Sequence, residues 1–301
     1  MTVQPIALCS MTVTLDPLAP AASGRWEGDG VQVTRRIGPH RPHLHRGGLC
    51  TPRFCTHRDG DLLTVEHDLT PEELCDELAV HIARELVDTG ALRGQAEFEL
   101  VFTGVVRSTV DGGWPAWRQF YHNSLTRLEH GTTPFAPIHQ RASELVRGRS
   151  LVDLGSCFGF FPLRMTRLGI AVTATDLSGP TMDLLELASM DLRRPLHTVQ
   201  CDAAAVPLPD DYADTVTVLH LLEHLPVDAI GAVLREALRL ARRCVIVAVP
   251  FEDEPRECYG HIQRFDLPRL QELGERLCDE HAGWTASEAE FHGGWLVLDR
   301  T

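Results

Sequence analysis

From residue 150 onward short apolar runs alternate with helix-patterned stretches, and this rhythm constrains the fold more than any other feature. The runs are SLVDLG (150–155), IAVTATD (170–176), LHTVQCD (196–202), DTVTVLH (214–220) and CVIVAVP (244–250), with helices predicted over 161–168, 179–190 and 221–242. Apolar strands that alternate with helices form parallel sheets covered on both faces. Near the end, AEFH-GG-WLVLD holds two strand-like runs joined by Gly293-Gly294, a hairpin signal. The expectation is an α/β domain: a doubly wound, mostly parallel sheet closed by an antiparallel hairpin.

The 301 residues suffice for one large domain or two modest ones, and an apolar fraction of 44% is that of an ordinary globular protein. The net charge is −14 and every basic residue is Arg. A chain this acidic lacks the basic face that nucleic acid or anionic lipid requires, so no nucleic-acid partner is expected. No apolar stretch approaches the ~20 residues of a membrane span. The opening MTVQPIALCSMTVTLDPLAP has no basic start and reaches Asp16 early, so no signal peptide is expected, and Met11 offers a second plausible beginning. Nine Cys without a secretion signal read as reduced thiols in the cytoplasm. The oligomeric state is not legible.

Residues 1–30, rich in Pro, Ala, Gly and Ser and without a period, read as a mobile arm. Residues 31–140 read as a small α+β module, an acceptor-binding element or lid, and 141–301 as the main domain. Within the module, VQVTRR and LLTVEHD look like strands around a polar insert, 39–61. The insert carries His40, His43, His45, Cys50, Cys55 and His57. Their spacing fits no compact finger, so the insert is expected to be a solvated loop and no metal site is assigned. Thr70, Pro71 and Glu73 form a capping-box start, Leu74, Leu78, Ile82 and Leu86 repeat at helical spacing, and Gly90 is a stop. EFELVFTGVVRS (97–108) is mixed in pattern, and 115–130 looks helical with an aromatic face.

The turn after the first strand of the main domain reads LVDLGSCFGFFP. Bare backbone at a strand end lets a ligand approach the chain closely. The dinucleotide fingerprint fits poorly, because only Gly155 and Gly159 are present, and without Gly-Lys-Ser/Thr a Walker loop is excluded. Asp153, two residues before the first glycine, is a poor neighbour for pyrophosphate. It suits a ligand with a positive group, such as the amino end of S-adenosylmethionine (SAM). Asp176 ends the second strand, 17 residues past Gly159, where an acid takes both ribose hydroxyls. Asp202 ends the third strand, placed for an adenine edge through its side chain or the backbone amide of Ala203.

Taken together, VDLGSCFG, TATDLS, CDAAAVPLPDDYADTVTVLHLLEHL and HIQRF, in that order, make residues 148–265 resemble the class I SAM-dependent methyltransferases, particularly the quinone-methyltransferase-like group. The resemblance implies a Rossmann-like, seven-stranded sheet with an antiparallel last strand, SAM as cofactor, and a small-molecule acceptor. It makes Asp153, Gly155, Ser156, Cys157, Gly159, Asp176, Leu177, Asp202, Ala203 and His220 the candidate cofactor contacts. Cys157 stands where the family usually has glycine, and reads as a loop wall. A longer stretch, from EFELVFTGVVRSTVDGGWPAWRQFYHNSLTRL to LVDLGSCFGFFPLRM, is similar to the methyltransferases of the mycofactocin pathway. That likeness implies O-methylation of a glucose hydroxyl in an oligosaccharide; C- or N-methylation of a quinone-like or other small metabolite, and SAM binding without turnover, stay open as alternatives.

A hydroxyl acceptor needs a base near the carboxyl ends of strands four and five. His220 ends strand four, His224 follows one turn on across Glu223, and His261 follows strand five. Each is a candidate catalytic base. Trp117 and Tyr121 either cover the SAM pocket or belong to a core.

Overall fold

The computed structural model describes residues 16–38 and 48–301. The start of the expected arm, Met11, His40, His43 and His45 lie outside the described residues. The chain divides into two compact units at Arg127/Leu128, inside a helix, rather than at the expected 140/141.

The N-terminal unit holds a five-stranded sheet of β1 (Arg25–Gly28), β2 (Val31–Arg35), β3 (Leu49–Cys50), β4 (Phe54–Asp59) and β5 (Leu62–His67), in the order β1-β2-β5-β4-β3. β2 and β5 pair parallel and their neighbours antiparallel. Two expectations change here. The arm expected over 1–30 already contains β1, whose Trp26 is buried in the core. The described end of the insert is not a solvated loop but β3 and β4, and Cys50 and Cys55 are joined by a disulfide where reduced thiols are expected.

The single helix expected after Thr70 is broken. Pro71–Glu73 is a 3₁₀ turn, α1 (Leu78–Ile82) follows, and Ala83–Val87 winds as a π-helix. The expected apolar residues Leu74, Leu78, Ile82 and Leu86 are all buried, so the periodicity is real. The break arises because side chains of another helix take the backbone groups: Asn123 Nδ2 donates to the carbonyls of Pro71 and Leu74, both at 2.8 Å, and Ser124 Oγ accepts from the Asp76 amide. The mixed stretch is α2 (Gly94–Thr109), buried along most of its length. It packs so closely on the sheet that a Cβ at Gly104 would lie 2.3 Å from Val33 Cγ2. α3 (Gly113–Glu129) brings Trp117 and Tyr121 into this unit's core, where the Trp117 indole donates to the Pro17 carbonyl at 2.8 Å.

The C-terminal unit takes in the last residues of α3, then α4 (Ala136–Leu145), and is built on a seven-stranded sheet. Its strands are β6 (Ser150–Leu154), β7 (Ala171–Asp176), β8 (His197–Gln200), β9 (Ala213–Leu219), β10 (Ala241–Val249), β11 (Trp284–Glu290) and β12 (Gly294–Arg300), in the order β11-β12-β10-β9-β6-β7-β8. Only β12 runs against its neighbours, the architecture of Rossmann-like methyltransferases expected above. α5 (Phe160–Arg167), α6 (Gly179–Asp191), α7 (Val227–Leu240) and α8 (Leu267–Glu280) complete the layers.

Alternation along the strands builds two cores. Val245, Val247 and Val249 join Val216, Val218 and the apolar faces of α7 and α8 on one side. Cys244, Ile246 and Ala248 join Leu151, Ile138 of α4 and Phe161 of α5 on the other. With both faces covered, each buried Val or Ile contributes about 1.5–3 kcal/mol, and the carboxyl ends of the strands are held rigidly along one edge. Among the described residues no helix is long and apolar enough to cross a membrane.

Candidate active site

The site grows from the ends of β6, β7, β9 and β10. β6 ends at the buried Asp153 and Leu154, and the chain then turns through Gly155 and Gly159, at φ +71° and +68°. These left-handed values favour glycine, and the packing reinforces the choice: a Cβ would lie 2.7 Å from Leu221 at Gly155 and 2.4 Å from Leu185 at Gly159. Cys157 is also left-handed, at φ +49°.

The loop is tied to β7. Ser156 donates its amide to the Thr175 carbonyl at 2.8 Å and its hydroxyl to the Asp153 carbonyl at 3.1 Å. Asp176 accepts the Cys157 amide on Oδ2 and the Ser178 amide on Oδ1, both at 2.9 Å. One carboxylate therefore fixes both the glycine loop and the start of α6, where Ser178 caps the helix and Pro180 occupies its first turn.

Burial pushes the Asp153 carboxyl up to about 7, against hydrogen bonds from Thr217 and Ser156 and aided by the charge of Asp176. Thr217 Oγ1 donates to Asp153 Oδ1 at 2.5 Å. Burial also raises Asp176, although three backbone amides oppose it. Leu177 is exposed beside it. Asp202 is exposed, its Oδ1 accepting the Ala204 amide at 2.8 Å, and the next residue, Ala203, packs partly on the core.

The helix expected over 221–242 is interrupted. Leu222–His224 is a 3₁₀ turn, Leu225 is extended ahead of Pro226, and α7 begins only at Val227. The residue before a proline is disfavoured in the helical region, which accounts for the break. His220 and His224 are therefore not stacked on one helix face. His220 sits at the strand end with φ +54°, and its Nδ1 meets Glu223 Oε1 at 3.1 Å.

The Glu223 carbonyl accepts the amides of Ile262 and Gln263, at 2.8 and 3.0 Å, and so staples the segment after β10 onto this turn. That staple brings His261 beside His224, with ring centroids 4.7 Å apart and nearly perpendicular. His224 Nδ1 lies 3.2 Å from the Gly260 carbonyl oxygen, and His261 Nδ1 lies 2.9 Å from Glu252 Oε2. Burial outweighs the attraction of Glu223 and pushes His224 down to about 4. Glu223, wholly buried, is nonetheless held below the usual carboxyl range, because the His220 hydrogen bond and the three imidazoles overcome its burial.

The three candidate bases thus share one cluster. Sequence reasoning gives no role to Glu223, Glu252 or Thr217. An acid just past the β10 end, in FEDEP, is the signal that points to Glu252.

Residues 152–249 match the protein family described as "Methyltransferase domain". A stretch of 100 residues is 30% identical to the ubiquinone biosynthesis O-methyltransferase of Paracidovorax citrulli, covering 32% of this chain and 41% of that protein, so less than half of the relative's length is spanned. Among solved structures, a SAM-dependent methyltransferase from Aquifex aeolicus is similar at 15% identity and a TM-score of 0.44, covering 59% of this chain and 97% of that one. The SAM-bound magnesium protoporphyrin IX methyltransferase of Synechocystis PCC 6803 is similar at 14% identity and a TM-score of 0.43, covering 61% and 81%. The C-terminal unit thus carries, over residues 152–249, the sequence signature of a methyltransferase domain.

Proposed function

We propose that the chain is a SAM-dependent methyltransferase that methylates a hydroxyl oxygen. The observation that carries the reading is the pair of buried carboxyls, Asp153 and Asp176, at neighbouring strand ends on either side of the glycine loop. Both are raised by burial, so a ligand that brings positive charge to one and hydroxyl donors to the other relieves both. SAM has that pairing, and when bound it supplies a methyl group already activated on a sulfonium.

In this reading Asp153 faces the amino end of the cofactor. Gly155, Ser156, Cys157 and Gly159 line it with backbone, and Asp176, with Leu177 beside it, takes the ribose hydroxyls. Asp202 or the Ala203 amide meets the adenine edge. The chain's remaining task is to position the acceptor and remove its proton. His220 is the base: facing Glu223, its Nδ1 carries hydrogen and donates, which leaves Nε2 a free lone pair.

For the acceptor, the likeness of the longer stretch to mycofactocin-pathway enzymes favours a glucose hydroxyl of that oligosaccharide. The 30% identity to a ubiquinone biosynthesis O-methyltransferase favours, as second reading, a hydroxyl on a quinone-like ring. The test is incubation with SAM and each acceptor class, read by mass spectrometry for a species gaining one methyl group. A glycan product supports the first reading and a quinol product the second. Methylation at carbon or nitrogen alone rejects the hydroxyl assignment, and SAM binding without turnover on any acceptor rejects the enzyme.

A further inference from the structure

Glu223, His224 and His261 each present one buried atom that has no hydrogen-bond partner among the described residues: Glu223 Oε2, His224 Nε2 and His261 Nε2. The three residues cluster, with one ligand atom from each within 4.8 Å of the others. Their protonation follows from what their other atoms touch. His224 Nδ1 meets a carbonyl oxygen, which only accepts, so it carries the hydrogen and Nε2 carries the lone pair. His261 Nδ1 faces the Glu252 carboxylate and donates to it, leaving a second lone pair on Nε2. Glu223 Oε1 takes His220 Nδ1, and Oε2 is a third acceptor.

Three acceptors and no donor therefore share one buried cluster, and each lacks the partner that burial demands. The geometry points to a divalent transition-metal site made by Glu223, His224 and His261. Two imidazoles and one carboxylate suit a borderline cation such as Zn²⁺, Mn²⁺ or Co²⁺ better than an all-oxygen ion such as Mg²⁺. The outer contacts match what metal-bound histidines require. Each imidazole is oriented through Nδ1 by a carboxylate or a backbone carbonyl, and the Glu223 carboxylate is itself hydrogen-bonded.

Ligands at about 2.0–2.2 Å from an ion stand roughly 3.3–3.6 Å apart, so closing the set onto a cation takes about an ångström of side-chain movement. Three protein ligands leave at least one position open. Beside His220, an acceptor hydroxyl on that position would ionise more readily. This last role rests on the methyltransferase reading, whereas cation binding does not.

The test uses the full chain, dialysed against a chelator and titrated with Co²⁺ and Zn²⁺. One ion per chain is expected, with the visible absorption of Co²⁺ in a low-symmetry nitrogen–oxygen site. E223Q, H224A and H261A should each weaken Co²⁺ by about 100-fold or more. E252Q, which keeps all three ligands, should weaken it by about 10–100-fold. It carries the test if a ligand variant does not fold. The exposed-loop control H292Q should bind as the wild type does. No Co²⁺ or Zn²⁺ binding by the wild type, or binding that persists in all four site variants, overturns the site. SAM titrations with chelator present separate the two ideas: retained SAM affinity without metal binding rejects only the metal, and lost SAM affinity with intact metal binding rejects only the methyltransferase.

Discussion

The Cys157 amide donates to Asp176 Oδ2 at 2.9 Å, so the residue at the unusual loop position works through its backbone. Its left-handed φ of +49° is one that glycine adopts freely. Cys157→Gly is therefore expected to leave SAM affinity unchanged in a calorimetric titration. Cys157→Val, β-branched at the same φ, should destabilise the protein by about 1–2 kcal/mol in chemical denaturation. A large loss of SAM binding in the glycine variant would show that the thiol itself is required.

Asp176 holds two loop amides through its two oxygens and remains the acid at the end of β7. Asp176→Ala should weaken SAM by roughly ten- to a hundredfold, the loss of one or more hydrogen bonds to a charged group at about 1.5–3 kcal/mol each. Its far-ultraviolet circular dichroism should match the wild type, because the sheet core does not depend on the carboxylate. Unchanged calorimetric affinity would remove the ribose assignment.

Asp153 gives SAM binding a pH dependence. With its carboxyl pushed up to about 7, half of the free protein carries a proton there near neutrality, and a cationic ligand favours the ionised form. Affinity should rise between pH 6 and 8, with proton release on binding at pH 7 detected as a buffer-dependent calorimetric enthalpy. Asp153→Asn should bind more weakly at pH 8 and show no such slope. A wild-type affinity that is flat across this range would mean that Asp153 does not face the positive group.

The sheet and the glycine-loop end of the candidate site were legible because both are written in local pattern. Strand periodicity placed β6 to β10, and Asp153, Gly155 and Asp176 each stand at a strand end that the pattern itself marks. The histidine cluster was not legible in the same way. His261 reaches His224 only because the Glu223 carbonyl takes the amides of Ile262 and Gln263, backbone contacts across nearly forty residues that no side-chain pattern encodes. The 3₁₀ turn at Leu222–His224 turns on one residue, Pro226, whose effect on its neighbour outweighs a convincing helical run. In the N-terminal unit β3 and β4 were hidden by the Arg- and His-rich composition of their surroundings. The break after Glu73 was hidden because Asn123 and Ser124, from a distant helix, take over the backbone hydrogen bonds.

Asp76 makes the stability of the protein depend on pH. Its side chain is buried, and burial, aided by the charge of Glu77, pushes its pKa up to about 7 against the nearby backbone amides and Arg127. Between the ordinary value of 3.8 and about 7 the folded chain holds a proton here that the unfolded chain has released. The contribution of Asp76 to stability therefore falls as pH rises through that window and levels off above it. Asp76→Asn removes the titration and keeps the shape. The difference in Tm between variant and wild type should grow in favour of the variant from pH 5 to pH 8, measured by thermal denaturation in matched buffers. A difference that stays constant over that range would mean that the Asp76 carboxyl ionises normally in the folded protein.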